Sequence, residues 1–187
     1  MPALNKAREK AKSISCLSRL KQSGMAGVQY ADDYSGWATP TAQNVEGYIR
    51  RWSWFLIHGK YISETSWHVF ICPSYFPGEN YSDPYTLGMN KDIDRINGGV
   101  YDTIVNFQRF EKKRDASPSV VWMYGDSGTS GQERQNAYLG HVSGAAHYFH
   151  LRHARRGNLW FIDGSARAVS KEESLKNIYP INKSARY

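Results

Sequence analysis

MPALNKAREKAKSISCLSRLKQSGMAGVQY, residues 1–30, is the stretch that decides the fold. Its apolar residues mostly recur every three or four positions, the spacing that puts side chains on one face of an α-helix. The predicted stripe consists of Leu4, Ala7, Ala11, Ile14, Leu17, Leu20, Met25 and Val28. A helix of this length is about 40 Å long and needs a sheet or other helices over its apolar face. Gly24 and Gly27 are expected to weaken its last turns, each by up to about 1 kcal/mol relative to Ala.

Composition predicts one compact, sheet-rich unit. The chain has 187 residues, 14% of them aromatic, with thirteen Tyr and six Trp, and it contains no Pro/Ser/Gly-rich linker. The net charge is +7, but the basic residues are scattered along the chain, so no nucleic-acid partner is expected. No apolar run approaches the roughly 18 residues needed to span a bilayer, and we expect the chain as given to be soluble.

The remaining segments predict a mixture of short helices and strands. Apolar spacing from Val45 to Phe55 predicts a second helix that stops at Gly59. Residues 68–72 and 119–124 have the composition of buried strands, each bounded by Pro or Gly. Ser170 to Glu173 has the sequence of a capping box that opens a last short helix.

The clearest local signal is a hairpin over residues 158–169. Asp163-Gly164 between two alternating runs predicts a two-residue type I′ turn, because such a turn needs positive φ at both central positions. This register pairs Ile162 with Ser165 and Trp160 with Arg167. We expect Leu159, Phe161, Ala166 and Ala168 to lie beneath the long helix. Trp160 is expected to stack with Arg167 on the other face.

Several patterns resemble chemical sites but favour structural roles. Asp126-Ser127 and His147 imitate protease motifs, yet the serine precedes the histidine, which argues against a hydrolase. His147, His150 and His153 would share a face only on a helix, and their aromatic context favours a strand, so a metal site there is not expected. A His153–Asp163 pair is also disfavoured, because an extended strand separates the two.

Asn90, Asp92 and Asp94 have the opening spacing of a calcium loop. An EF-hand is excluded, because Arg95 occupies the position that requires Gly and no Glu follows at the twelfth position. We therefore expect no metal or other cofactor from these motifs.

The segment from His153 to Asp163-Gly164 contains His, nine residues and then Asp-Gly. It resembles the signature of the prepilin-type processing-associated H-x(9)-D-G family, whose members look like type IV pilins and type II secretion pseudopilins. Further landmarks match in order: residues 2–11, Cys16, 20–22, 30–32, Cys72-Pro73-Ser74, 117–119 and Asp126-Ser127. The resemblance implies an α+β, pilin-like fold, with residues 1–29 as the amphipathic half of the pilin helix, packed on an antiparallel sheet in a head of residues 30–187. His153, Asp163 and Gly164 would then be a structural signature.

The function implied is that of a non-enzymatic structural subunit of a type II secretion or type IV pilus-like filament. Its partners would be other pilin or pseudopilin subunits, met through the N-terminal helix. Family members carry an apolar segment ahead of this helix that anchors them in the inner membrane, with the head periplasmic or extracellular. The present sequence matches from the point where that segment ends, so it is expected to be a truncated form. Calcium binding, as in major pseudopilins, stays open, and Ser165 stands where the family commonly has His.

Two alternatives stay open at the level of sequence. Cys16 and Cys72 are either buried reduced thiols or, in the oxidising compartment that the resemblance implies, a disulfide. The chain is either a filament subunit or an envelope-displayed module that binds carbohydrate or another surface. In that second case the candidate platforms are Trp37, Trp52, Trp54 and Trp160, although core packing explains most of them equally well.

Overall fold

The computed structural model describes residues 2–74, 86–90, 107, 117–131, 135–139 and 147–176. The helices are α1 (Pro2–Asp33), α2 (Trp52–His58) and α3 (Lys171–Lys176), with 3₁₀ turns at Glu64–Phe70 and Pro118–Val120. The strands are β1 (Ala42–Val45), β2 (Tyr48–Arg51), β3 (Gly88–Asn90), β4 (Trp122–Gly125), β5 (Ser127–Thr129), β6 (Tyr138–Leu139), β7 (His147–Phe149), β8 (Arg156–Phe161) and β9 (Ala166–Ser170).

A five-stranded sheet in the order β6-β3-β4-β8-β9 forms the body of the fold. Its neighbours pair antiparallel except β3 and β6, which are parallel. Two further sheets have two strands each, β1-β2 and β5-β7. The described residues are therefore α+β, with a long N-terminal helix against a mainly antiparallel sheet, as predicted.

The face of α1 that packs on the sheet differs from the predicted stripe. Leu4, Ile14 and Met25 are 69%, 60% and 63% exposed. The buried face instead runs through Cys16, Leu20, Ser23, Gly24, Ala26, Gly27, Tyr30 and Ala31. The prediction was right for Leu20, which is buried, and for Val28, which packs against the core. It was wrong for Leu4, Ile14 and Met25, because it counted apolar residues, whereas small residues such as Gly24 and Gly27 let the sheet approach this helix.

Two glycines let bulky aromatic residues approach α1 closely. A Cβ on Gly24 would lie 2.2 Å from the Trp160 ring, and one on Gly27 would lie 2.6 Å from the Tyr124 hydroxyl. Any side chain at these positions would hold the helix away from the sheet. Gly24 and Gly27 thus make the helix–sheet contact possible, although each lowers helix propensity.

The sheet separates two apolar cores. The core under α1 includes Leu20, Trp52, Phe70, Met89, Tyr124 and Trp160. The other consists of Trp122, Leu139, Phe149, Leu151, Leu159, Phe161 and Val169. Because neighbouring strand residues point to opposite faces, Trp160 faces the helix and Leu159 and Phe161 face away. The predicted assignment of Leu159 and Phe161 to the helix side was wrong for this reason. That of Ala166 was right, since it packs against the helix-side core, and Ala168 pairs with Asn158, whose side chain donates to the Ser13 carbonyl of α1.

The predicted β8-β9 register was one residue off. Trp160 pairs with Ala166 and Leu159 with Arg167. The Gly164 amide donates to the Phe161 carbonyl at 2.9 Å and Gly164 has φ +85°, so the loop is a type I turn followed by a left-handed glycine. Asp163 Oδ1 accepts the Ser165 amide at 2.9 Å, which stabilises this turn. Arg167 consequently lies 3.8 Å over the Phe161 ring rather than stacking on Trp160.

Elsewhere the local predictions were confirmed in part. The predicted second helix begins only at Trp52, because Glu46 and Gly47 take positive φ of 53° and 85° and turn β1 into β2. The predicted strand at residues 68–72 overlaps a 3₁₀ turn instead. The Ser170 N-cap is confirmed, since Ser170 Oγ accepts the Glu173 backbone amide at 3.2 Å, while the Glu173 carboxylate pairs with Arg156 and Arg167.

The Asp163-Gly164 turn yields a stability prediction. Gly164→Val should lower the free energy of unfolding by about 1–2 kcal/mol, because a β-branched residue is strained at positive φ. Asp163→Asn should be nearly silent, since the amide oxygen can still accept the Ser165 N–H. Thermal melts check this, and equal losses in the two variants would contradict the turn described here.

Candidate functional site

Four side chains from separate parts of the chain converge beneath α1. Cys16 lies in α1, Cys72 follows the 3₁₀ turn, Asp126 joins β4 to β5, and His153 precedes β8. All are buried, with His153 the most exposed at 3%. Each offers one ligand atom, and these atoms lie within 4.8 Å of one another. We call this group the Cys–Asp–His cluster.

Close polar contacts join its members. Cys16 Sγ donates to Asp126 Oδ1 at 3.3 Å. His153 Nε2 lies 3.3 Å from Cys72 Sγ and 3.3 Å from Asp126 Oδ2. The Asn158 backbone amide donates to Asp126 Oδ2 at 2.8 Å.

Backbone hydrogen bonds position the cluster. The Asp126 amide donates to the Asn158 carbonyl at 3.0 Å, which ties this residue to β8. His153 and Arg156 exchange backbone hydrogen bonds around a tight turn, in which Ala154 and Arg155 have φ of 51° and 65°. Left-handed conformations cost non-glycine residues about 1–2 kcal/mol each, so the surrounding fold holds His153 in place against local strain.

Arg152 supplies a buried positive charge. Its side chain is 4% exposed, its Nη1 lies 3.6 Å from Asp126 Oδ1, and its Nη2 donates to the Ser127 carbonyl. Burial alone would raise the pKa of Asp126, but Arg152, His153 and the Asn158 amide lower it to about 2. The cluster therefore holds an ionised carboxylate at neutral pH.

The pKa values of the other three members of the cluster are shifted in different directions. Burial opposes charge on His153, yet contacts with Asp126 and Cys72 raise its pKa to about 9. Burial also opposes a thiolate at Cys72, but hydrogen bonds from Cys16 and His153 and the charge of Arg152 lower its pKa to about 6. Burial, followed by Cys72 and Asp126, raises the pKa of Cys16 well above its usual value. At neutral pH these directions leave Asp126 and Cys72 as anions, Arg152 and His153 as cations, and the Cys16 thiol neutral.

The cluster has the composition of a Cys–His–Asp triad without its geometry. In a triad the acid holds one imidazole nitrogen and the nucleophile faces the other. Here Cys72 and Asp126 both face His153 Nε2, while Nδ1 lies 3.5 Å from Ser74 Oγ. Cys72 is also 0% exposed, so a substrate has no access to its sulfur. The arrangement suits cross-linking of the fold rather than turnover.

The other predicted histidine and serine motifs are not brought together. His147 contacts Thr129 at 3.4 Å, and His150 accepts from Arg152 at 3.2 Å. Ser127 Oγ donates to the Asn136 carbonyl at 2.7 Å. Asp163 is exposed and stabilises its own turn, whereas His153 contacts Asp126.

The candidate calcium residues are only partly described. Asn90 is buried and donates to the Trp122 carbonyl at 3.1 Å. Asp92 and Asp94 lie outside the described residues.

The four candidate tryptophans do not form a common surface. Trp52 and Trp160 are 0% and 1% exposed, so their assignment as binding platforms was wrong; both fill the core under α1. Trp54 is half-buried and stacks on His58 at 4.3 Å. Trp37 is 39% exposed.

Cys16 and Cys72 are both free thiols here. Their sulfurs lie within 4.8 Å of each other, so a disulfide between them stays a prediction. Sequence reasoning missed the larger cluster because its members lie on four separate segments. One signal was available: every member falls within a segment that supports the family resemblance.

Among the described residues, no helix combines the length and apolar character needed to cross a bilayer.

Comparison with known proteins yields no assignment. No family model, curated protein or solved structure matches the chain.

Proposed function

We propose that this chain is a non-enzymatic, pilin-like structural subunit of a type II secretion or type IV pilus-like filament at the cell envelope. The observation that carries the proposal is the division of α1 into two parts. The helix has 32 residues, and its first fully buried residue is Cys16. The part before Cys16, which we call the free half, has no buried side chain among residues 3–15. The Asn158 side chain of β8 donates to the Ser13 carbonyl at 3.3 Å, and the turns before Ser13 extend the helix beyond that contact.

The free half has the character of an assembly surface. Leu4, Ala7, Ala11 and Ile14 are exposed at helical spacing, so the first half of the predicted stripe forms an exposed apolar face. Burying a Leu or Ile side chain contributes about 1.5–3 kcal/mol, which favours packing against a helix of a neighbouring subunit. Charged residues accompany the stripe, and Glu9 pairs with Lys12 at 3.1 Å. Other subunits, packed through α1, are therefore the partners that we propose.

The head supplies a rigid base for that helix. The apolar core under α1 and the Cys–Asp–His cluster hold the second half of α1, and all four members of the cluster are buried. In this proposal the subunit is held in the inner membrane by the apolar segment that the resembled family carries ahead of its amphipathic helix. The alternative, a surface-binding module, is less favoured because two of its four candidate platforms are buried.

Charge placed on the free half tests the proposal. Ile14→Asp in the full gene product should abolish filament or pseudopilus assembly, because a carboxylate at a helix–helix contact is desolvated. The free energy of unfolding of the purified chain should change by no more than about 0.5 kcal/mol, since Ile14 is exposed. Assembly is followed by shearing and immunoblotting in the organism that encodes the protein.

Ile49→Asp is the matched control, because Ile49 is 54% exposed but lies on β2, away from α1. This variant should assemble normally. Normal assembly of both variants would overturn the proposal that the free half is the assembly surface.

A further inference from the structure

We propose that the Cys–Asp–His cluster is a structural zinc site, with Cys16, Cys72, Asp126 and His153 as its four ligands. The inference is independent of the proposed function. It rests on four buried side chains whose ligand atoms lie within 4.8 Å of one another.

The donor set selects the metal. Two sulfurs, one imidazole nitrogen and one carboxylate oxygen suit zinc, whereas calcium and magnesium prefer shells made of oxygen. Four protein ligands with no open position are typical of structural rather than catalytic zinc sites. The burial of all four residues agrees with a closed site.

The spacing of the ligand atoms fits tetrahedral coordination. With metal–ligand bonds of about 2.0–2.3 Å, neighbouring ligands of a tetrahedral site lie roughly 3.3–3.8 Å apart. Cys16 Sγ lies 3.3 Å from Asp126 Oδ1, and His153 Nε2 lies 3.3 Å from both Cys72 Sγ and Asp126 Oδ2. All ligand atoms lie within 4.8 Å of one another, so side-chain shifts of up to about 1 Å bring the four ligands to the tetrahedral spacing.

Neighbouring groups provide the outer contacts that zinc ligands require. His153 Nδ1 lies 3.5 Å from Ser74 Oγ, which fixes the ring with Nε2 towards the cluster. The Asn158 amide holds Asp126 Oδ2 at 2.8 Å. Arg152 is compatible with a cation here, because two thiolates and a carboxylate balance a divalent ion and one guanidinium without net charge.

A zinc ion at this position joins α1 to three other segments. Cys16 is the first fully buried residue of the helix, so the ion lies where the free half ends and the packed half of α1 begins. A Cys16–Cys72 disulfide uses the same two sulfurs and excludes the zinc site. The two states are therefore competing predictions about one cluster.

Metal titration of the whole chain distinguishes them. The protein is purified with reductant, stripped with a chelator and titrated separately with Zn²⁺ and Co²⁺. We expect one ion per chain, a rise in melting temperature, and protection of both thiols from alkylation. Bound Co²⁺ should give the intense visible bands of tetrahedral coordination together with sulfur-to-cobalt charge transfer.

Variants separate a ligand shell from a merely buried cluster. Ser74→Ala removes no ligand and should weaken zinc affinity about 10- to 100-fold while keeping a stoichiometry of one. His147→Gln is the control, because His147 contacts Thr129 outside the cluster, and its affinity should equal that of the unmodified chain. Failure of the reduced, unmodified chain to bind one zinc ion overturns the proposal. So does a Cys16–Cys72 disulfide that forms, by intact mass, even when the folded chain is exposed to air with zinc present.

Discussion

Asp126→Asn is expected to lower the free energy of unfolding by about 3–5 kcal/mol, the usual cost of removing one partner from a buried ion pair. The loss is large because Asp126 is 0% exposed and faces both Arg152 and His153. Asn can still accept the Asn158 amide, so the variant removes charge with little change in shape. Chemical denaturation of reduced, metal-free protein at neutral pH measures the effect without any contribution from zinc.

The pH dependence of this loss identifies its cause. The pKa of Asp126 is lowered to about 2 in the folded chain, against an ordinary value of 3.8. Its stabilising contribution is therefore complete above the ordinary pKa and disappears as the pH falls through about 2. The difference in the free energy of unfolding between parent and variant should therefore shrink by up to about 2.5 kcal/mol between neutral pH and pH 2. A difference that stays constant from neutral pH to pH 2 would contradict an electrostatic role.

Asp33→Asn provides the matched control. Asp33 is exposed and accepts the Tyr61 hydroxyl at 2.7 Å, so the same chemical change occurs in water. We expect a loss of no more than about 1 kcal/mol. An equal loss in the two variants would show that burial of Asp126 does not set the cost.

Gly24→Val is expected to destabilise the chain by about 3 kcal/mol, at the upper end for overpacked cores. A Cβ at this position would lie 2.2 Å from the indole of Trp160, which is itself 1% exposed and has no room to withdraw. Relief of the low helix propensity of Gly offsets less than about 1 kcal/mol of this cost. Thermal and denaturant melts of the purified variant give the value.

Met25→Val is the control, since the neighbouring side chain is 63% exposed and introduces the same β-branched residue into α1. It should change stability by no more than about 0.5 kcal/mol. If Gly24→Val melts like Met25→Val, the close contact between α1 and Trp160 is wrong.

Features encoded by neighbouring residues could be predicted from the sequence. The long helix, the β8-β9 hairpin and the Ser170 cap depend on local periodicity and turn chemistry, and all three are present. The hairpin register was missed because Asp-Gly fits both a two-residue type I′ loop and the three-residue loop that forms here. The shift of one residue places Ala166 on the same face as Trp160 rather than Phe161, and Arg167 on the same face as Leu159.

Features that depend on tertiary packing could not be predicted in the same way. Counting apolar positions favoured Leu4, Ile14 and Met25, whereas the sheet selected the face on which Gly24 and Gly27 admit large aromatic side chains. The Cys–Asp–His cluster depends on contacts such as Cys16 with Asp126, which lie 110 residues apart in the chain. No local pattern encodes such a pairing.

Site-specific photo-crosslinking from position 14 tests the central claim, assembly through the free half of α1, most directly. A photoreactive amino acid replaces Ile14 in the full gene product, and the cells are irradiated while filaments are assembled. A second variant carries the same group at Gln43, which is exposed on β1. The account predicts a ladder of covalent multimers from position 14 and monomer alone from position 43. Monomer alone from both positions, in cells that assemble the filament, would contradict it.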